Sequence, residues 1–120
     1  MVVYLASDLI WATRIKAAGE DVRVPCRPVR TLEMLEARLA DSPVKALIVD
    51  LEAGPVALEM VARLRGGAAS DGDRAVKIVA FGPHVQRDEL DATRAAGADL
   101  VLTRGAFDQR LADLLVTIGR

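Results

Sequence analysis

Three short runs in this chain are apolar at every position: "VVYLA" from Val2, "ALIV" from Ala46 and "IVAF" from Ile78. Side chains of a strand point to opposite faces in turn, so a strand with one wet face alternates apolar and polar residues. A strand without alternation is covered on both faces, and a parallel sheet with helices on each side supplies that cover. Two further β-rich runs, at 22–25 and 100–103, join those at 2–6, 46–50 and 76–81 to make five.

The segments between them carry helical spacing. Leu32, Leu35 and Leu39 fall at i, i+3, i+7 behind Thr31, which suits an N-cap. A helix over 55–65 starts at Pro55 and gathers Ala57, Val61 and Leu64 on one face. The strongest stripe is Phe107, Leu111, Leu114, Leu115 and Ile118. Helices over 8–18 and 86–96 stop at Gly19 and Gly97, residues suited to a C-cap. The piece "GGAASDGDRA", 66–75, reads as a mobile loop inside one domain. Strand–helix alternation repeated five times predicts a doubly wound α/β three-layer sandwich with a five-stranded parallel sheet, one domain over 1–120.

Composition narrows the function classes. Of 120 residues 52% are hydrophobic but only 3% aromatic, so the core is aliphatic and large enough to need no metal or disulfide. A net charge of -1 speaks against a basic nucleic-acid surface. No apolar run reaches the roughly 18 residues of a membrane span, and the start lacks the basic region of a signal peptide. Cys26 is the single cysteine, which suits a reducing cytoplasm. The expectation is a soluble cytoplasmic domain with no nucleic-acid or membrane partner.

In doubly wound sheets, ligands gather beyond the carboxyl ends of the strands. That rule brings Ser7 and Asp8, Asp50, Gly82 to His84, and Thr103 to Gly105 to one end of the molecule. Asp50 is the arresting member, a carboxylate where a buried strand stops. It suits an acceptor of a transferred group, a metal or anion ligand, or a residue whose side chain satisfies turn amides.

With the (βα)5 order, Asp50 closing the third strand, Leu64-Arg65 ending the third helix and "AAGAD" ahead of the fifth strand, the whole chain resembles the receiver domain of two-component response regulators, a flavodoxin-like architecture. The resemblance implies that Asp50 is the phospho-acceptor and that Mg²⁺, the one cofactor candidate, sits between Asp8 and Asp50. It also implies a protein partner, either a histidine kinase or a separate effector protein. The family's other site positions are filled differently. Its acidic pair falls on Ser7 and Asp8, its Ser/Thr on Gly82, its lysine on Arg104 followed by Gly105, and its fifth-strand aromatic near Val101. One acid fewer weakens a hard-cation site. Gly82 has no hydroxyl to draw toward a phosphoryl group, and no aromatic stands ready to rotate, so the two-state element of a phosphorylation switch is missing.

These losses favour a pseudo-receiver of phosphorelay type: a signalling or regulatory module that is not an enzyme and works by protein–protein contact. One alternative is a working receiver using Asp50 with Mg²⁺. Another is a small metal- or anion-binding protein using Asp8, Asp50 and His84, since imidazole and carboxylates together suit several transition metals.

Leu9, Ile10 and Trp11 stand in sequence on the first helix, and a helix cannot bury three consecutive residues against one sheet. Trp11 and Ile10 are therefore the expected interface, as is the face between the fourth and fifth helices, where receivers dimerise; a homodimer is one possible partner arrangement. Cys26 beside Arg27 and Arg30 is a candidate reactive thiol, with packing as the plainer role. Arg23, Arg27 and Arg30 form a local positive patch. "GAASDG" lacks the Lys-Ser/Thr of a P-loop, no GxGxxG follows the first strand, and a lone histidine offers no Ser–His–acid set.

Overall fold

The computed structural model describes residues 1–83 and 87–120. Five parallel strands, β1 (Val2–Leu5), β2 (Cys26–Pro28), β3 (Ala46–Asp50), β4 (Lys77–Gly82) and β5 (Leu100–Thr103), lie in the order β2-β1-β3-β4-β5. Among the described residues six α-helices accompany them: α1 (Leu9–Val22), α2 (Leu32–Asp41), α3 (Val56–Arg65), α4 (Asp71–Ala75), α5 (Arg87–Ala95) and α6 (Arg104–Gly119). A 3₁₀ turn, Leu51–Ala53, follows β3 directly. No helix among the described residues is long and apolar enough to cross a membrane.

The unbroken apolar runs are explained by parity. Val3, Leu5, Leu47, Val49, Ile78 and Ala80 face one cluster, closed by Leu35 of α2 and by Met60, Val61 and Leu64 of α3. Val2, Tyr4, Ala46, Ile48, Val79 and Phe81 face the other, closed by Trp11 and Ile15 of α1 and by Phe107, Leu111 and Leu115 of α6. Between their ends the central strands meet no water on either face, so a polar residue there is costly unless it is hydrogen-bonded. At the other end of the sheet the Leu64-Arg65 pair divides its work. Leu64 is buried. Arg65 donates from Nε to the Gly97 carbonyl at 3.1 Å and from Nη2 to the Val76 carbonyl at 2.7 Å and Asp99 at 2.9 Å. It thereby ties the entrances of β4 and β5 together.

Three local expectations are corrected. The second strand is Cys26–Pro28, not 22–25: Val22 closes α1, and Cys26 begins the strand. The β-branched residues of "VRV" mislead because α1 runs on through Gly19. There the glycine serves packing, not capping. A Cβ at Gly19 would lie 2.6 Å from Cys26 Sγ and 2.9 Å from the Val24 carbonyl oxygen. The helix instead ends at Arg23, which adopts φ 59°, the left-handed region that a non-glycine residue rarely visits. Pro28 is tolerated inside β2 because that strand lies at the sheet edge. Third, the segment 66–75 is not all loop: Ser70 and Asp73 form a capping box that starts α4.

Gly19 yields a sharp prediction. In an open helix, Gly→Ala stabilises by about 1 kcal/mol. Gly19→Ala is expected to destabilise instead, because the new methyl meets a sulfur and a carbonyl closer than atoms pack. Adding Cys26→Ala removes the sulfur and should recover part of the loss. Urea denaturation of the two variants checks this, and a stabilised Gly19→Ala would contradict it.

Candidate functional site

The carboxyl ends of β1, β3, β4 and β5 bring the expected residues together. Asp50 has no solvent exposure. A charge taken out of water must be compensated by hydrogen bonds, and the chain supplies three donors. Ser7 donates to Asp50 Oδ2 from its backbone N–H at 2.9 Å and from its hydroxyl at 2.5 Å. Glu52 donates its backbone N–H to Oδ1 at 3.0 Å. The carboxylate therefore pins the end of β1 to the turn that leaves β3, and it caps that turn itself. Asp8 plays a different part. It is exposed, and it caps α1, its Oδ1 accepting from the Trp11 N–H at 2.9 Å.

Gly82 ends β4 beside Thr103 of β5. Its backbone is not in the left-handed region, and a Cβ placed there would meet Leu51 Cβ at 3.4 Å, an ordinary contact. The missing hydroxyl is thus a choice of sequence and not a demand of the fold. Arg104 is the first residue of α6, whose N-cap is Thr103. Its Nη2 donates to Glu52 Oε2, forming an ion pair across the rim, and its guanidinium lies 5.8 Å from the Trp11 ring centroid. Among the described residues its buried Nε has no partner. Nothing in the sequence marks Glu52, although it stands two residues after Asp50. Only the fold reveals that it meets position 104.

Trp11 is corrected as an interface residue. It is 8% exposed and packs at 4.9 Å from Phe81 and 5.8 Å from Phe107, ring centroid to centroid. A large aromatic at the start of α1 fills the space over Phe81, and the exposure falls on its neighbours: Leu9 at 76% and Ile10 at 67%. His84 lies outside the described residues. Val101 is buried in the core. Cys26 is also buried, and that burial pushes its thiol pKa up, the reverse of what a reactive thiolate needs.

A divalent cation is poorly served. Mg²⁺ demands near-octahedral oxygen ligation. Three hydrogen bonds already load the Asp50 carboxylate, Asp8 gives one oxygen to its helix, and among the described residues no three His, Cys, Asp or Glu side chains group as ligands. Asp8 and Asp50 would offer such a cation one free carboxylate oxygen and one carboxylate already loaded with three hydrogen bonds.

No protein-family model matches the chain, and no curated protein matches its sequence. Solved structures do match in shape. A response regulator from Thermotoga maritima superposes with a TM-score of 0.71 at 17% identity, covering 98% of this chain and 94% of that one. The signal receiver domain of the DNA-binding response regulator merR from Colwellia psychrerythraea 34H gives 0.74 at 11% identity, with 96% and 97% covered. The Mn²⁺-bound form of response regulator Rcp1 gives 0.71 at 9% identity, with 95% and 90% covered. With five parallel strands in the order β2-β1-β3-β4-β5 and Asp50 buried at the carboxyl end of β3, the chain has the receiver-domain fold of response regulators.

Proposed function

We propose that this chain is a receiver-like signalling module of two-component type that catalyses no reaction of its own and acts by contact with another protein, without a phosphorylation switch. The observation that carries this is the state of Asp50: its two oxygens accept three hydrogen bonds from Ser7 and Glu52. A phosphoryl group on Oδ2 displaces the Ser7 bonds that join β1 to β3, and one on Oδ1 displaces the cap of the turn that follows β3. The cation at Arg104 is engaged by Glu52 in place of an incoming anion, and no hydroxyl at residue 82 answers a phosphate. Asp50 in this module is a structural cross-link. A histidine kinase or a separate effector protein is the partner class, and the exposed Leu9 and Ile10 of α1 are the side chains suited to meet it.

The test is a titration of the ¹⁵N-labelled chain with beryllofluoride and Mg²⁺. The expected spectrum does not change around Asp50, Glu52 and Arg104. Saturable shifts there, abolished in Asp50→Asn, would establish a working phospho-acceptor and sink the proposal.

A further inference from the structure

A second feature lies at the same end of the sheet, and Asp50 is not part of its lining. A cleft of about 380 Å³ opens beyond the ends of β1 and β2, over the start of α1, with Ala53 and Val56 closing its far side. It stands where the strand order turns back, since the chain passes from β1 outward to β2 and then returns to β3. Doubly wound sheets leave a crevice at that place because the connections on either side depart to opposite faces. The volume is in the range of small-molecule sites, and such sites combine apolar walls with a few polar groups.

The polar groups here are of opposite sign. Arg30, just past β2, lines the cleft and makes no hydrogen bond or ion pair among the described residues. Asp8 lines it too, with one oxygen committed to the Trp11 amide. Ser7 adds a hydroxyl to the lining, and Ala12 and Val56 supply apolar wall. An anion alone would face the Asp8 carboxylate, with the Asp50 carboxylate just behind Ser7. A cation alone would leave the Arg30 guanidinium unanswered.

We propose that this cleft binds a small zwitterion with an aliphatic body, of the chemical class of a branched-chain α-amino acid. Its carboxylate pairs with Arg30 and its ammonium with Asp8, while the aliphatic part lies on Ala12 and Val56. Because the lining joins the first turn of α1 to the β2–α2 connection, occupancy reaches the helix that carries Leu9 and Ile10. The proposal does not depend on whether Asp50 accepts a phosphoryl group.

The test uses the full ¹⁵N-labelled chain without divalent cations and three probes: L-leucine, 4-methylpentanoate and 3-methylbutylamine. L-leucine is expected to shift the amides of Ser7, Leu9, Arg30 and Ala53 saturably, and to bind about tenfold more tightly than either single-charge analogue, as a lost charge-assisted hydrogen bond implies. Arg30→Ala should weaken L-leucine about tenfold. Asp8→Asn should do the same while preserving the helix cap, because Asn caps as well as Asp. Two results overturn the proposal: no saturable shift with L-leucine, or 4-methylpentanoate binding as tightly as L-leucine, which would make the cleft a plain anion site. Retained L-leucine affinity in both variants would overturn it equally.

Discussion

Phe81→Ala is expected to lower the free energy of unfolding by about 3–5 kcal/mol, the range for removing a buried aromatic. Domains of this size have a total of about 5–15 kcal/mol, so one substitution takes a large share of the fold's stability. The effect is large because the chain has so few aromatics: two Phe, one Tyr and one Trp. Three of the four pack together. Phe81 stacks on Phe107 with centroids 4.1 Å apart and planes inclined by 2°, and Trp11 leans on both. Small aliphatic neighbours cannot move far enough to fill the hole. Urea denaturation followed by the fluorescence of Trp11, the only tryptophan, gives the measurement directly. The midpoint should fall with the slope unchanged, and a loss below about 1 kcal/mol would show that the cluster is not the keystone of this face. Phe107→Ala should cost a similar amount. The double variant should lose less than the sum, since either single change already breaks the stack.

That cluster also explains what sequence could and could not show. Strand existence followed from the absence of alternation, because burial on both faces leaves a pattern that needs no knowledge of partners. Asp50 stands out for the same reason, as the one charge that directly follows such a run at its carboxyl end. The failures share one cause. Gly19 as a helix stop, the strand at 22–25 and Trp11 as an interface residue all follow from local pattern, while their roles are set by contacts outside that pattern. Gly19 is required by Cys26, and Trp11 is claimed by Phe81 and Phe107. At the site, residue types identified which helpers are lost, but nothing local says that Ser7 donates twice to Asp50 or that Glu52 meets Arg104. Those are relations across 43 and 52 positions.

The Ser7–Asp50 contact also separates a structural cross-link from a weakened cation pocket. In Ser7→Asp the backbone N–H still reaches Asp50, but the hydroxyl donor gives way to a second carboxylate beside a fully buried one. Like charges at such a distance disfavour the ionised pair, and an uncompensated buried charge costs about 3 kcal/mol or more. The variant is therefore expected to lose about that much stability at neutral pH without divalent cations, against about 1 kcal/mol for Ser7→Ala, which removes one donor and adds no charge. Added Mg²⁺ should return much of the loss in Ser7→Asp and none in Ser7→Ala. A ligand that binds only the folded state stabilises it by about 2.7 kcal/mol at a hundredfold excess over its dissociation constant. In Asp50→Asn the repulsion has no second partner, so both the added cost and the Mg²⁺ rescue should vanish there. Thermal melts of these variants with and without Mg²⁺ decide the matter. If the unaltered chain is stabilised by Mg²⁺ as strongly as Ser7→Asp, the cation already has a home beside Asp50, and the serine is not its replacement.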